Sequence, residues 1–149
     1  MCLFTEKLEF KIAEEDKTFY KVLVKSRGIM LITPYREEEV ELDKFYYPAK
    51  KISTKFLFNG ILYKIISLFE KDPIISHRPY IIKYSRKAKS FIIGGGIIHL
   101  FTNKDRAIVE QLLTPNSIVV KAIIPKGTKY IESYDNSEIG TLGVIYEFM

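Results

Sequence analysis

Apolar residues in this chain fall mostly into short runs or alternate with polar ones, and one segment alone has clear helical spacing. Residues 18–25 are dense in β-branched and aromatic side chains, which suit a pleated, half-buried surface and predict a strand. Ser26, Arg27 and Gly28 read as a turn, and residues 29–33 as the returning strand, stopped by Pro34. In the acidic stretch 37–43, Val40 and Leu42 are expected to point inward while the carboxylates stay in water. Residues 52–69 allow two readings. Asn59-Gly60 is a strong hairpin signal, yet Ile61, Leu62, Ile65, Ile66 and Phe69 also fit one face of a helix. Strand and helix both stay open for 61–69.

The second half is more regular. Residues 80–84 and 90–93 are expected as strands flanking a basic loop, and 97–101 as a short apolar strand. A helix follows at 103–113, with Thr102 as N-cap and Asp105 at N3. Its buried face is expected to comprise Ala107, Ile108, Val109, Leu112 and Leu113, and Thr114-Pro115 ends it. Residues 117–124 form a near-continuous apolar strand, broken by the Pro125–Thr128 turn before another strand at 129–132. Asp135-Asn136 turns the chain, and 142–148 closes the fold. Seven or more strands with one helix, and no alternation of strand and helix, predict a strand-rich α+β fold of mixed or antiparallel sheets. A single domain over 1–149 is expected.

Composition fits that picture. With 149 residues, 47% of them apolar, and ten Tyr plus ten Phe, one sizeable core is affordable and disorder is excluded. Cys2 is the single cysteine, so neither an internal disulfide nor a cysteine-based zinc site can form. His77 and His99 are too few for a histidine-rich metal site, and no metal is expected. The N-terminus reaches Glu6 without a basic region or apolar stretch, unlike a secretory signal. The longest apolar run, 91–100, falls well short of the ~20 residues needed to cross a bilayer. A cytoplasmic location with no membrane partner is the expectation.

The net charge of +5 is unevenly spread. Acids cluster at 14–16 and 37–43, whereas none occurs between Asp72 and Asp105. Within that gap Arg78, Tyr80, Lys83, Tyr84, Arg86 and Lys87 place cations beside phenol rings, a composition able to neutralise phosphate and stack on bases. A solvated strand-loop-strand with inward tyrosines explains the same residues. Nucleic acid is the lesser expectation, since the pI of 9.1 only reaches the mark of a dedicated binder. Gly95 and Gly96, with Gly94, would let a ligand approach the backbone, but fit neither phosphate-loop nor dinucleotide-binding spacing. His99 sits in the apolar strand that follows, either as a site residue or as a core histidine bonded to a neighbouring carbonyl. Asp105, Glu110, Glu132, Asp135, Glu138 and Glu147 are the carboxylates of the C-terminal half, and spacing singles out none of them.

Several phrases resemble an uncharacterised family of short proteins from bacteriophages and gut bacteria. They are Met1-Cys2-Leu3, Ala13 to Asp16 with Tyr20-Lys21, Thr33-Pro34-Tyr35, Gly96 to His99, and Ile123 to Tyr130. The resemblance implies a mobile-element origin and, with it, a host-cell cytoplasm. A second, weaker similarity is to ADP-ribosyltransferase-like folds, carried by His99-Leu100, Ala107, Ile118-Val119-Val120 and Pro125 to Thr128. It implies a pocket containing His99 and Tyr20 as catalytic residues, with NAD bound there and no cofactor otherwise. The chain departs from that pattern in having Tyr20-Lys21 where such enzymes place Arg or His, and in lacking a Ser-Thr-Ser motif. The first expectation is therefore a small phage-encoded binding protein, not an enzyme, for a nucleotide-like, phosphate-bearing molecule or a host protein. Its site would comprise the basic segment and 95–99. An NAD-using transferase is the alternative. A virion or assembly protein, forming a homo-oligomer with Tyr46, Tyr47 and Pro48 at its interface, is the third.

Overall fold

A computed structural model of the chain describes residues 3–26, 30–34, 39–46, 74–76, 81–94 and 97–149, with backbone alone at 74–76, 81 and 94. These residues contain fourteen strands and one helix. The strands before the helix are β1 (Leu3–Thr5), β2 (Lys11–Ile12), β3 (Lys17–Ser26), β4 (Met30–Ile32), β5 (Glu39–Val40), β6 (Phe45–Tyr46), β7 (Ile74–Ser76), β8 (Ile81–Ser85), β9 (Ser90–Gly94) and β10 (Ile98–Phe101). Then come α1 (Lys104–Leu113), β11 (Ser117–Ile124), β12 (Lys129–Glu132), β13 (Glu138–Thr141) and β14 (Val144–Glu147). The strand-rich α+β architecture expected from the sequence is the one observed. The segment 52–69, with its open strand-or-helix reading, lies outside the described residues.

Two antiparallel sheets account for all the strands. A small sheet runs β1-β9-β8-β7, and a ten-stranded sheet runs β2-β12-β13-β10-β3-β11-β14-β6, with β4 and β5 added beside β3. β3 is the axis of the large sheet. One of its edges pairs with β11 from Val24–Ser117 to Lys17–Ile124. Its other edge is shared, meeting β10 at Tyr20–Phe101 and β4 from Val24 onward. Alternation along β3 and β11 serves two cores at once. Phe19, Leu23, Val120 and Ala122 enter the main core with Leu100, Ile139, Val144 and Tyr146. Tyr20, Val22 and Val119 face the other way, against Phe101 and Ala107. Val40 and Leu42 join the main core as their alternation predicts, while Glu39, Glu41 and Asp43 stay exposed. Each such fully buried aliphatic side chain contributes about 1.5–3 kcal/mol.

The second face of the large sheet has two covers. The small sheet lies over β10 and β12, with Leu3, Ile82 and Ile93 packed on Ile97 and Ile131. A hydrogen bond from the Tyr134 N–H to the Phe4 carbonyl, 2.8 Å, ties the two sheets together. Helix α1 covers β3, β11 and β10, seated on Ala107.

Three sequence expectations need correction. The helix is capped by Asn103, whose Oδ1 accepts the Asp105 N–H at 2.7 Å, and not by Thr102. The Thr102 hydroxyl instead donates to the carbonyls of Asn136 (2.7 Å) and Ser137 (3.0 Å), so it is not available to the helix. Of the helix's expected buried face only Ala107 is buried, while Leu112 is 81% and Leu113 75% exposed. Finally, β13 was not foreseen, since glycine and glutamate weaken its strand signal. The glycine sits close against a neighbouring side chain there. A Cβ on Gly140 would lie 2.6 Å from Ile97 Cδ1, in the layer between the sheets.

Candidate functional site

The expected basic strand-loop-strand is the β8–β9 hairpin. Its ladder runs from Ile81–Gly94 to Ser85–Ser90, and residues 86–89 make the turn. Ile82 and Ile93 pair across the ladder and anchor the hairpin in the layer between the sheets. At the other end Ser85 and Ser90 are buried, and the Ser85 Oγ accepts the Ala88 N–H at 3.2 Å. Lys89 closes the turn at φ 50, a left-handed conformation. Such an arrangement fixes the turn's backbone while leaving Arg86, Lys87, Ala88 and Lys89 exposed. Three cations thus share one tip, close enough to reinforce a single positive field.

The other residues expected at this site are placed differently. Tyr84 packs on its cross-strand partner Phe91, ring centroids 5.0 Å apart and tilted by 59°, so one side of its ring is already occupied. Lys83, opposite Ile92, projects from the other face of the hairpin. The tip and Gly94 stand at opposite ends of β9, a separation of about 13 Å along the strand. Arg78, Tyr80, Gly95 and Gly96 lie outside the described residues, as do His77, Tyr47 and Pro48. Tyr46, expected at an exposed interface, is half-buried in β6 against Tyr146, with ring centroids 6.0 Å apart.

His99 is held on β10 with both ring nitrogens buried. Its side chain projects from the second face of the large sheet, on the side of Phe101, and Gly140 stands opposite it on β13. No ladder pair joins β10 to β3 beyond Tyr20–Phe101, which leaves the ladder open there. The Lys21 ammonium donates to the His99 carbonyl across this opening at 2.8 Å, supplying the donor that the missing ladder would have given.

Two further side chains share that face. Tyr20 and Glu138 both stand opposite Phe101, on β3 and β13; Glu138 is a diagonal neighbour of His99 at roughly 7 Å backbone spacing, and Tyr20 lies where the β3–β10 ladder ends. Burial pushes the Glu138 carboxyl above its ordinary range, the Arg106 charge pulls it back, and Asp135 pushes it up again. Tyrosine, imidazole and a carboxyl that protonates readily therefore occupy one face of three adjacent strands. Glu138 escaped the sequence reading because its strand did. Alternation along β13 counts only once its pairing with β10 is known.

Beside this face the turn from β12 to β13 is fastened by Asp135. Its Oδ1 accepts from Ser137 Oγ (2.6 Å), Ser137 N–H (3.1 Å) and Ser133 Oγ (2.8 Å). These bonds, the Ser137 hydroxyl first, hold the carboxyl at about 2. Among the described residues no three His, Cys, Asp or Glu side chains are grouped to hold a metal ion. None of the described helices is long and apolar enough to cross a membrane. No protein-family model, curated protein or solved structure matches this chain.

Proposed function

We propose that the protein is a binding protein for a phosphate-bearing, nucleotide-like ligand, engaged by the tip of the β8–β9 hairpin. The observation that carries this reading is the exposed turn holding Arg86, Lys87 and Lys89 on a base pinned by two buried serines. Guanidinium gives bidentate hydrogen bonds to phosphate oxygens and ammonium adds point charge, so the tip favours an anion with several acceptor oxygens. The hairpin's own stretch of sequence, from 73 to 104, contains no acid. An origin in a phage infecting a bacterial host would place the protein in a cytoplasm where nucleotides abound. Because the cations are exposed, salt should weaken binding steeply. In a fluorescence-polarisation titration with a labelled adenine nucleotide, Arg86→Glu with Lys87→Glu should cost at least tenfold in affinity. Unchanged affinity overturns the reading.

A second reading is supported by Tyr20, His99 and Glu138 sharing one face of β3, β10 and β13. This is the constellation an ADP-ribosyltransferase-like enzyme with NAD as substrate would draw on. Glu138 adds a carboxylate to the two residues expected from the sequence. Purified protein incubated with NAD and cell extract should then release nicotinamide, and His99→Ala or Glu138→Gln should abolish the release. Absence of turnover in the wild type removes this reading and leaves the first untouched.

A further inference from the structure

The tip of the β8–β9 hairpin holds cations, but the tyrosine nearest to it is turned inward against Phe91 and offers no open face to a base. The turn itself leans to one side. Alternation along β8 sends Ile82 and Tyr84 toward the large sheet, and Lys83 and Ser85 to the outer face of the small sheet. On that outer face the Ser85 Oγ accepts the Ala88 N–H at 3.2 Å, so the turn bends over the outer side, where Ser85 and Ser90 are buried. Arg86, Lys87 and Lys89, all exposed, are carried to the same side.

The next row of the outer face is Phe4, Ile92 and Lys83, side by side on β1, β9 and β8. Phe4 is 40% exposed, whereas its neighbours Leu3 and Thr5 point inward and are buried. The row lies two residues below the Ser85–Ser90 pair, about 7 Å along the strands. Phe4 is also fixed at its backbone. The ladder holds it to β9, and its carbonyl accepts the Tyr134 N–H at 2.8 Å. A ring on so fixed a backbone loses little freedom on meeting a flat ligand.

We propose that Phe4 is the base-stacking residue of the nucleotide site, an assignment that rests on the tip binding phosphate. The base lies on the Phe4 ring beside Ile92, and the phosphate chain runs over β8, past Lys83, to Arg86 and Lys87. Glu6 disfavours a route along the β1 side, because it is exposed just beyond the end of that strand. Stacking uses the π-face that every base has, so the ring supplies affinity without choosing among bases. A nucleotide is engaged at both ends, whereas an inorganic phosphate chain meets the cations alone.

Titration of the full chain with a labelled adenine nucleotide in magnesium-free buffer, read by fluorescence polarisation, tests this. Phe4→Ala should weaken binding by about fivefold or more, and Phe4→Tyr should retain it. If Phe4→Ala lowers the melting temperature, Phe4→Leu, which keeps an apolar side chain and lacks the ring, takes its place. Inorganic tripolyphosphate should bind the wild type and the ring-less variant equally in calorimetry. The chain contains no tryptophan, so Phe4→Trp installs a single reporter. ATP should quench that reporter as it binds, and tripolyphosphate should leave it unchanged. Wild-type affinity in the ring-less variant, or a tryptophan signal that bound ATP does not alter, overturns the stacking role and leaves the phosphate-binding tip standing. A wild type that binds no nucleotide overturns both the site and the ring's part in it.

Discussion

The small sheet and helix α1 cover the same face of the large sheet in opposite senses. In the small sheet three apolar side chains face inward, Leu3 and Ile93 fully buried and Ile82 nearly so, and the charged tip of the hairpin is left in water. In the helix one alanine and a set of polar groups face inward, and the apolar stripe is left in water. Both segments satisfy the usual pattern for an element with one buried side. The pattern states that two faces differ, and the partners waiting on the sheet decide which of them is covered. Ala107, fully buried against Val22, Phe101 and Val119, is the helix residue that meets the sheet.

The comparison can be broken or sharpened by measurements on five variants. The largest effect is expected at Ile93→Ala. Removing a fully buried side chain between the sheets should cost about 2–5 kcal/mol in urea unfolding. Next is Asn103→Ala, which deletes the helix cap and should cost about 1 kcal/mol, whether or not the helix has an apolar seat. Leu112→Ser should stay within about 0.5 kcal/mol of wild type in the same experiment. A loss at Leu112 as large as that at Ile93 would mean that the helix buries its stripe after all. The smallest effect concerns pH. The folded Asp135 carboxyl titrates at about 2 against an ordinary 3.8, so its contribution is fully present above pH 4 and is lost as pH falls towards 2. Asp135→Asn should therefore be slightly less stable than wild type at pH 7, and the gap should close by about pH 2. Glu138 has the opposite sign. Its raised carboxyl adds stability at low pH that is lost as pH rises through its folded value, so thermal melts of Glu138→Gln should lose this component of the pH dependence.

What could be read from the sequence was local. β3 and β11 announce themselves through Val22, Leu23, Val24, Val119 and Val120, because a strand buried on both faces needs such residues in an unbroken run. The basic tip was equally plain, since charges adjacent in sequence stay adjacent in a turn. Thr102 and Asn103 show where local reading stops. Either can cap a helix, and the choice fell to Asn103 because the turn at 136–137, more than thirty residues on, recruits the Thr102 hydroxyl. Glu138 shows the same limit in the candidate site. Nothing near it in sequence sets it apart from the other five carboxylates of the C-terminal half, and only the β13–β10 pairing brings it beside His99.

The opening between β10 and β3, bridged by Lys21, has a consequence for how the sheet comes apart. A single residue pair, Tyr20–Phe101, joins β10 to β3. On one side stand β2, β12, β13 and β10, and on the other β3, β11, β14 and β6. Most ladders elsewhere in the sheet run for several pairs, so this line is a crease in the hydrogen bonding between two panels that share the main core and helix α1, with the Lys21 ammonium as its latch. Native-state hydrogen exchange should resolve the panels as separate units of protection. Replacing Lys21 with methionine should free the latch, letting amides along β10 exchange sooner while those shared by β3 and β11 keep their protection.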